Sequence, residues 1–555
     1  MKSIAHYSTL LLAPLLLLAA GCSRAHYKES ADTEVYKILQ QKQEKLFGKA
    51  DPFTIERTTT DRVSKLPHGF QPLAGTEPPP EGKAPEGEPP SLLSLNEAVL
   101  LAIESSRDYQ SNKESLYLTA LSLTLERHQW RPILSGSMSG RYEKTGVDEA
   151  WAADSQFGIS QIFATGGSLS VALGTNLLHF ITGDPRDVAL SALTATLSQP
   201  LWRGAGAMVA QENLVQAERN VVYQIRSFLR YHKTFLVSVA SGYYQVLGLR
   251  AVVDNEWRNY QQLILARERT EAMAKAGRLA AFQVDQARQN ELSARDGWVH
   301  AVQQYRQSLD SFKITLALPT DANVDVDASE LSRLLERGVL HPEIAEDAAV
   351  RQALERRLDL VTARDEVDDA CREVEVAANG LGADINLVAT MNAPSDPTRP
   401  TYFRFNNAAY SAGLDVNLPL DRQAERNNYR AALINLDSQQ RSTDLQTDQI
   451  KQQVRQDWRT LQEARESYEI QCKSVDLAQT RVDSTTMLLQ AGRAETRDLL
   501  DSQSSLLQAQ NARISALVNH TVARLELWRD METLGVTDQG DLKEDNRVAA
   551  NTPTP

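Results

Sequence analysis

Two carboxylates, Asp498 and Asp501, stand three residues apart in "AGRAETRDLLDS" (Ala491–Ser502). Positions i and i+3 share one face of a helix, so the pair concentrates negative charge, with Arg493, Glu495 and Arg497 beside it. Two acids on one face attract cations and repel each other. The plain reading is that acids near a helix start oppose the helix dipole and stay solvated. The tripeptide before them recurs once, at Ala276–Arg278 in "AGRLAAFQVDQA", where Gln283 and Gln286 take the matching places. Only one of the two turns is armed with acids.

Other residue types able to do chemistry form no constellation. The nine His are scattered, with no HExxH and no Cys/His cluster, so no metal site is expected. "RGAG" (Arg203–Gly206) and "ATGG" (Ala164–Gly167) lack the Lys-Ser/Thr that follows a phosphate loop and read as turns. No nucleophile, base and orienter are brought together by spacing, so the chain is not expected to be an enzyme. The net charge of -13 argues against a nucleic-acid partner.

The N-terminus sets the compartment. Lys2 and His6 precede the apolar run "LLLAPLLLLAAG" (Leu10–Gly21), which Cys22 follows. That pattern is a secretory signal, too short to remain as a membrane anchor. Ala-Ala-Gly-Cys resembles the lipobox of bacterial lipoproteins, in which the Cys carries acyl chains; the alternative is an ordinary cleaved signal with a chance Cys. Ser23 in place of Asp favours export to the outer membrane in such lipoproteins. The other two cysteines, Cys371 and Cys472, lie in polar, helical-looking stretches and imply no disulfide framework. Beyond the signal, no stretch reaches the roughly 20 apolar residues of a membrane helix.

The elements that position the acids are written twice. With Gly277 laid on Gly492, Val284 falls on Leu499, Leu292 on Leu507 and Ala294 on Ala509. Upstream, "SQPLWRG" (Ser198–Gly204) matches "NLPLDRQ" (Asn417–Gln423), and "EAVLLAIESSRDY" (Glu97–Tyr109) matches "AAVRQALERRLDL" (Ala348–Leu360). Three registers in the same order indicate an internal duplication. No proline falls between Pro200 and Pro319 or between Pro419 and Pro553, so each stretch from Pro to Gly suits one long helix. In the second, Ile450, Val454, Leu461, Tyr468, Val475, Ala478 and Val482 form a narrow apolar seam on a polar surface. Gly277 and Gly492 suit the left-handed residue that ends a helix, and shorter helices return to about Leu318 and Leu534. A further pair is expected over Leu95–Arg131 and Glu343–Leu381.

Between the helices the period changes to two. Leu134–Thr145, Phe157–Ala164, Ser168–Leu177, Val188–Gln199 and Tyr410–Leu418 alternate apolar with Ser, Thr, Asn and Gly. Strict alternation over about ten residues fits a transmembrane barrel strand or a half-buried strand of a soluble sandwich; export with a lipid anchor favours the barrel. "NAPSDPTRP" (Asn392–Pro400) and "HFITGDPRD" (His179–Asp187) read as outward loops.

In order, "LSLNEAVLLAIESSRDYQ", "QPLWRG", "AGRLAAFQVDQAR" and "AGRAETRDLLDSQSSLLQAQNA" resemble segments of the TolC family of outer-membrane channels, over Leu93 to Val536. The resemblance implies a mixed, mainly α fold with β. Three chains would share a barrel of 12 strands, or 18 if the surplus β-patterned sequence of the first repeat adds a hairpin. A long α-helical barrel would continue it into the periplasm. It implies a passive exit duct of a tripartite efflux pump or type I secretion system. Its partners would be two further copies, a periplasmic adaptor, an inner-membrane transporter and outer-membrane lipid; the covalent lipid on Cys22 would be its only added group. Asp498 and Asp501 would then ring the periplasmic gate, with Arg493 and Arg497 as pairing candidates and the Gly277 and Gly492 turns as adaptor-docking points. The rival reading is a lipid-anchored coiled-coil scaffold that conducts nothing. The expected division is 1–21 signal peptide, 22–92 lipidated segment and Pro-rich linker, 93–319 first repeat, 320–342 equatorial connector, 343–536 second repeat and 537–555 disordered tail.

Overall fold

The computed structural model describes residues 24–50, 52–56, 90–145, 148–182, 187–396, 399–418, 420–536 and 542–544. Cys22 and most of the Pro-rich linker lie outside them. Helix α1 (Arg24–Phe47) comes first, then strand β1 (Ser91–Leu93) and helices α2 (Leu95–Ser105) and α3 (Arg107–Gln129). Four long strands follow: β2 (Ile133–Thr145), β3 (Asp148–Ile162), β4 (Ser168–Phe180) and β5 (Asp187–Pro200). A short α4 (Ala207–Ala210) leads into α5 (Glu212–Lys275) and α6 (Ala281–Thr315). The connector holds β6 (Val324–Val326) and α7 (Ser329–Arg337). The second half runs α8 (Glu346–Arg356), α9 (Leu358–Gly380), β7 (Asp384–Asp396), β8 (Arg399–Phe403), a 3-10 turn, β9 (Ala409–Asn417), α10 (Gln423–Gln490) and α11 (Thr496–Asp530). Strands β10 (Leu534–Val536) and β11 (Leu542–Glu544) close the described chain.

Element lengths agree between the halves. Helices α2 and α8 have 11 residues each, α3 and α9 have 23 each, and α6 and α11 have 35 each. Helices α5 and α10 have 64 and 68 residues, each roughly 100 Å long at 1.5 Å per residue.

Several boundaries differ from the expectations. The stretches Leu95–Arg131 and Glu343–Leu381 are each two helices, broken at Ser106 (φ -61, ψ 131) and Arg357 (φ -61, ψ 119). The breaks have local partners: Ser106 Oγ accepts from the Tyr109 amide at 3.4 Å, and the buried Arg357 donates to Asp359 at 2.7 Å. The first long helix begins at Glu212, because Gly204 (φ 77) and Gly206 (φ 97) turn the chain after β5. Strand β3 begins nine residues before Phe157, and β7 runs through Asn392–Asp396, expected as loop. Within the expected tail, Leu542–Glu544 pairs antiparallel with Leu534–Val536. Helix α5 also carries a window apolar enough for a membrane helix, more than half of it buried in the fold.

The chain divides into two units. The first comprises 1–54, 114–226 and 362–444. It holds one antiparallel sheet in the order β2-β3-β4-β5-β7-β9, with β8 paired to the far end of β7 past a bulge at Ser395/Asp396. In the same unit Tyr117 donates to Asp32 at 2.7 Å and stacks edge-on against Tyr36, fixing α1 to α3. The β3–β4 turn needs glycine: at Gly166 (φ 88) a Cβ would lie 2.5 Å from the Gly204 carbonyl oxygen.

The second unit comprises 55–113, 227–361 and 445–555. Its core gathers Val237 and Ala240 from α5, Val350 and Ala353 from α8, Ile450, Val454 and Leu461 from α10, and Leu525, Leu527 and Trp528 from α11. These α10 residues are the seam read from the sequence. Strand β1 pairs in parallel with β6, joining the segment before α2 to the segment after α6. Tyr243 secures that joint by donating to the Leu93 carbonyl at 3.0 Å.

Candidate functional site

Cross-strand register assigns every sheet residue to a face, since side chains alternate along each strand. One row across all six long strands reads Leu134, Ile159, Val171, Ala195, Met391, Tyr410. It is apolar throughout, yet Leu134 is 81% and Tyr410 69% exposed. The adjacent row, on the opposite face, reads Ile133, Ser160, Ser170, Thr196, Thr390, Ser411. Hydroxyls fill it from the second strand to the sixth. Farther along that polar face Arg141 bridges to Asp154 at 2.5 Å and also contacts Glu143, and Asn176 donates to Asp154. On the apolar face Tyr142 and Trp151 pack edge to face at 5.6 Å. Apolar side chains facing outward with a polar face behind them are arranged for lipid on one side and water on the other.

The two Ala-Gly-Arg turns close their helices identically. Gly277 (φ 75) donates to Ala274 O at 2.9 Å, and the Arg278 amide to Met273 O at 3.0 Å. Gly492 (φ 70) donates to Leu489 O at 3.1 Å, and the Arg493 amide to Leu488 O at 2.8 Å. This pair of hydrogen bonds across a left-handed glycine is the Schellman end. The helices that follow, α6 and α11, open with different chemistry. The Asp498 carboxylate accepts the Glu495 amide at 3.0 Å, half of a capping box at the start of α11. Asp501 faces Arg497 at 3.7 Å, both well exposed. Asp498 therefore has a local structural duty, while Asp501 is held only by a solvated pair. The Arg493 guanidinium is exposed. Of the expected gate pairings, one protomer contains Arg497 with Asp501. Leu263 of α5, Ala294 of α6 and Leu500 of α11 form one buried apolar cluster.

A third site was not anticipated from the sequence. Asp530, at the end of α11, is fully buried within the second unit. Its carboxylate accepts from Arg230 of α5 at 3.0 Å, from Arg529 at 2.7 Å and from Gln453 of α10 at 3.1 Å. Arg230 also reaches Glu532 at 3.0 Å, Lys233 pairs with Glu532 at 2.9 Å, and Arg357 lies 3.8 Å from Asp530. The available signal was an acid at a core position: Asp530 follows Leu525, Leu527 and Trp528 on the apolar side of its helix. Among the described residues, no group of three or more His, Cys, Asp or Glu is arranged to hold a metal ion.

Comparison with known proteins places these features in context. The model of the outer membrane efflux protein family matches residues 349–529, from α8 to α11. No curated protein matches the sequence. Solved structures share the fold at low identity. CusC, studied for folding and transmembrane channel formation, aligns over 84% of this chain and 99% of its own, with 13% identity and a TM-score of 0.59. The Campylobacter jejuni CmeC outer membrane channel aligns over 82% and 88%, with 13% identity and a TM-score of 0.59. The outer membrane protein VceC from Vibrio cholerae aligns over 79% and 95%, with 14% identity and a TM-score of 0.60.

Proposed function

We propose that this chain, a member of the outer membrane efflux protein family, supplies one third of a passive exit duct through the outer membrane. Three copies close their sheets into one barrel, and their long helices wall a hydrated tunnel in the periplasm. The observation that carries this reading is the apolar row from Leu134 to Tyr410 lying beside the hydroxyl row from Ser160 to Ser411. A soluble protein does not leave such a surface to water. Strands β2 and β9 end the sheet order within one chain, and pairing β9 with β2 of the next copy satisfies both edges.

Six long strands per chain favour an 18-stranded barrel over one of 12. Because diameter grows with strand number, the wall would be about half again as wide. The matching lengths of α2/α8, α3/α9 and α6/α11 support an internal duplication. The Gly277 and Gly492 turns would meet a periplasmic adaptor that couples the duct to an inner-membrane transporter. Asp498 and Asp501 would ring the entrance, three of each, with Arg497 tempering the outer ring. Acyl chains on Cys22 would anchor each copy beside the barrel; no other cofactor is invoked.

The purified lipoprotein should run as a trimer that survives detergent until heated, and should conduct ions across planar bilayers. Trimers that never conduct, or a soluble monomer, would return the chain to the scaffold reading.

A further inference from the structure

Gln453 of α10 donates to Asp530 at 3.1 Å, and Asp457, one helical turn farther on the same face, lies beside Asp530 with its Oδ2 buried and no hydrogen-bond partner. Asp530 already receives Arg230, Arg529 and Gln453. Every element packed around the pair contributes charge. Helix α5 brings Arg230 and Lys233, and the α8–α9 break brings Arg357 and Asp359. Helix α10 brings Asp457 itself, and α11 with its last turn brings Glu526, Arg529, Asp530 and Glu532. The cations form ion pairs with Asp359, Asp530 and Glu532, and among the described residues none forms an ion pair with Asp457. Two carboxylates in contact cannot both ionise cheaply in a buried site.

We propose that Asp457 and Asp530 share one proton, and that this dyad makes the joint between α5, α8–α9, α10 and α11 sensitive to pH. In acid the proton bridges the two carboxyls and the joint is tight. When the proton leaves, like charges face each other where α10 meets α11, and the joint loosens. Burial and the neighbouring Asp530 push Asp457 up to about 7. Asp530, despite its burial, is held below the usual carboxylate range by Arg529 and Arg230. The shared proton thus resides on Asp457. A raised folded pKa means that the native state holds a proton the unfolded chain has released, so stability from this group falls as pH rises from about 4 to about 7. His520, pushed down to about 4 by burial, Arg524 and His341, has the opposite sign over nearly the same range. The readout is therefore the difference between variants. The inference concerns the second unit and does not depend on whether the protein conducts.

The test compares thermal unfolding of the full-length protein in detergent with that of Asp457→Asn and Asp530→Asn, from about pH 4 to about pH 8. Wild type should lose ground to Asp457→Asn steadily across that range and fall below it at the alkaline end. Asp530→Asn should be the less stable chain at every pH, because Arg529 loses its charged partner and Arg230 loses one of three. Difference infrared spectra near pH 6, above the ordinary carboxyl range, should show a protonated-carboxyl band in wild type that is missing in Asp457→Asn. A constant wild-type-to-Asp457→Asn difference across pH, or no change in that band, overturns the proposal. Should Asp530→Asn fail to fold, the other two measurements still decide it.

Discussion

Arg230 and Asp530 lie 300 residues apart in the chain and 3.0 Å apart in the fold. The pair ties α5 to the end of α11. Removing the cation leaves a fully buried carboxylate with part of its compensation gone. Arg230→Ala should cost about 3–5 kcal/mol, read as a lowered denaturant midpoint. A loss under 1 kcal/mol would show that Arg529 and Gln453 suffice.

The turn glycines answer to backbone geometry alone. A Cβ at Gly277 or Gly492 meets nothing within 4 Å, so the cost of Ala is that of a left-handed residue, about 1 kcal/mol. Each single variant should lower stability by that amount, and the double variant by the sum, because the turns make separate hydrogen bonds. Calorimetry checks both. A neutral effect would show that the turns relax to another closure.

Asp498 and Asp501 should separate when neutralised. Asp501→Asn removes an exposed pair with Arg497, worth less than about 0.5 kcal/mol, and should leave stability unchanged. Asp498→Asn weakens the capping box and should cost about 0.5–1 kcal/mol. If both acids line the entrance, each should reduce the cation preference of single-channel currents. Unchanged selectivity in the double variant would take them out of the pore.

The face assignment of the sheet is open to a paired test on β3. Phe157→Lys places a charge on the apolar face and should cost about 2–4 kcal/mol in a bilayer, seen as loss of heat-resistant trimers. Gln156→Lys, one residue away on the polar face, should assemble normally. Equal tolerance of both would contradict the two-faced barrel.

Helix α1 is held by a charge clasp, with Glu218 receiving Lys42 and Arg127, the latter at 2.6 Å. Burial pushes the Glu218 carboxyl up, but the two cations outweigh it and hold it below its ordinary value. A depressed carboxyl gives stability that is present above the unfolded value, near 4.5, and lost as pH falls below it. Protease cleavage of α1 should therefore quicken in acid. Glu218→Gln should be cleaved quickly at neutral pH, with a flatter pH dependence. An unchanged neutral rate would mean that Tyr117 and Asp32 hold the helix by themselves.

Much of this architecture was legible in the residues. The Ala-Gly-Arg turns, the seam of Ile450, Val454 and Leu461, and the alternation from Leu134 to Thr145 are local periodicities, and local periodicity survives in one dimension. Boundaries were less legible. The breaks at Ser106 and Arg357 carry no Gly or Pro, and follow from a hydroxyl cap and a buried guanidinium. Strand β7 keeps its pairing into a Pro-containing segment because β5 and β8 supply partners that the segment itself does not announce.

By itself the sequence determined a two-faced β-patterned region, two long polar helices with a narrow seam, and two equivalent reversals of which one bears acids. These are consequences of which side chains repeat at two, three and four residues. Only the tertiary structure decided that Asp498 caps its own helix while Asp501 does not, and that Arg230 and Asp457 gather around the buried Asp530. Charges gain or lose their meaning by what desolvates them and what lies within a few ångströms. Partners hundreds of residues apart leave no trace in spacing.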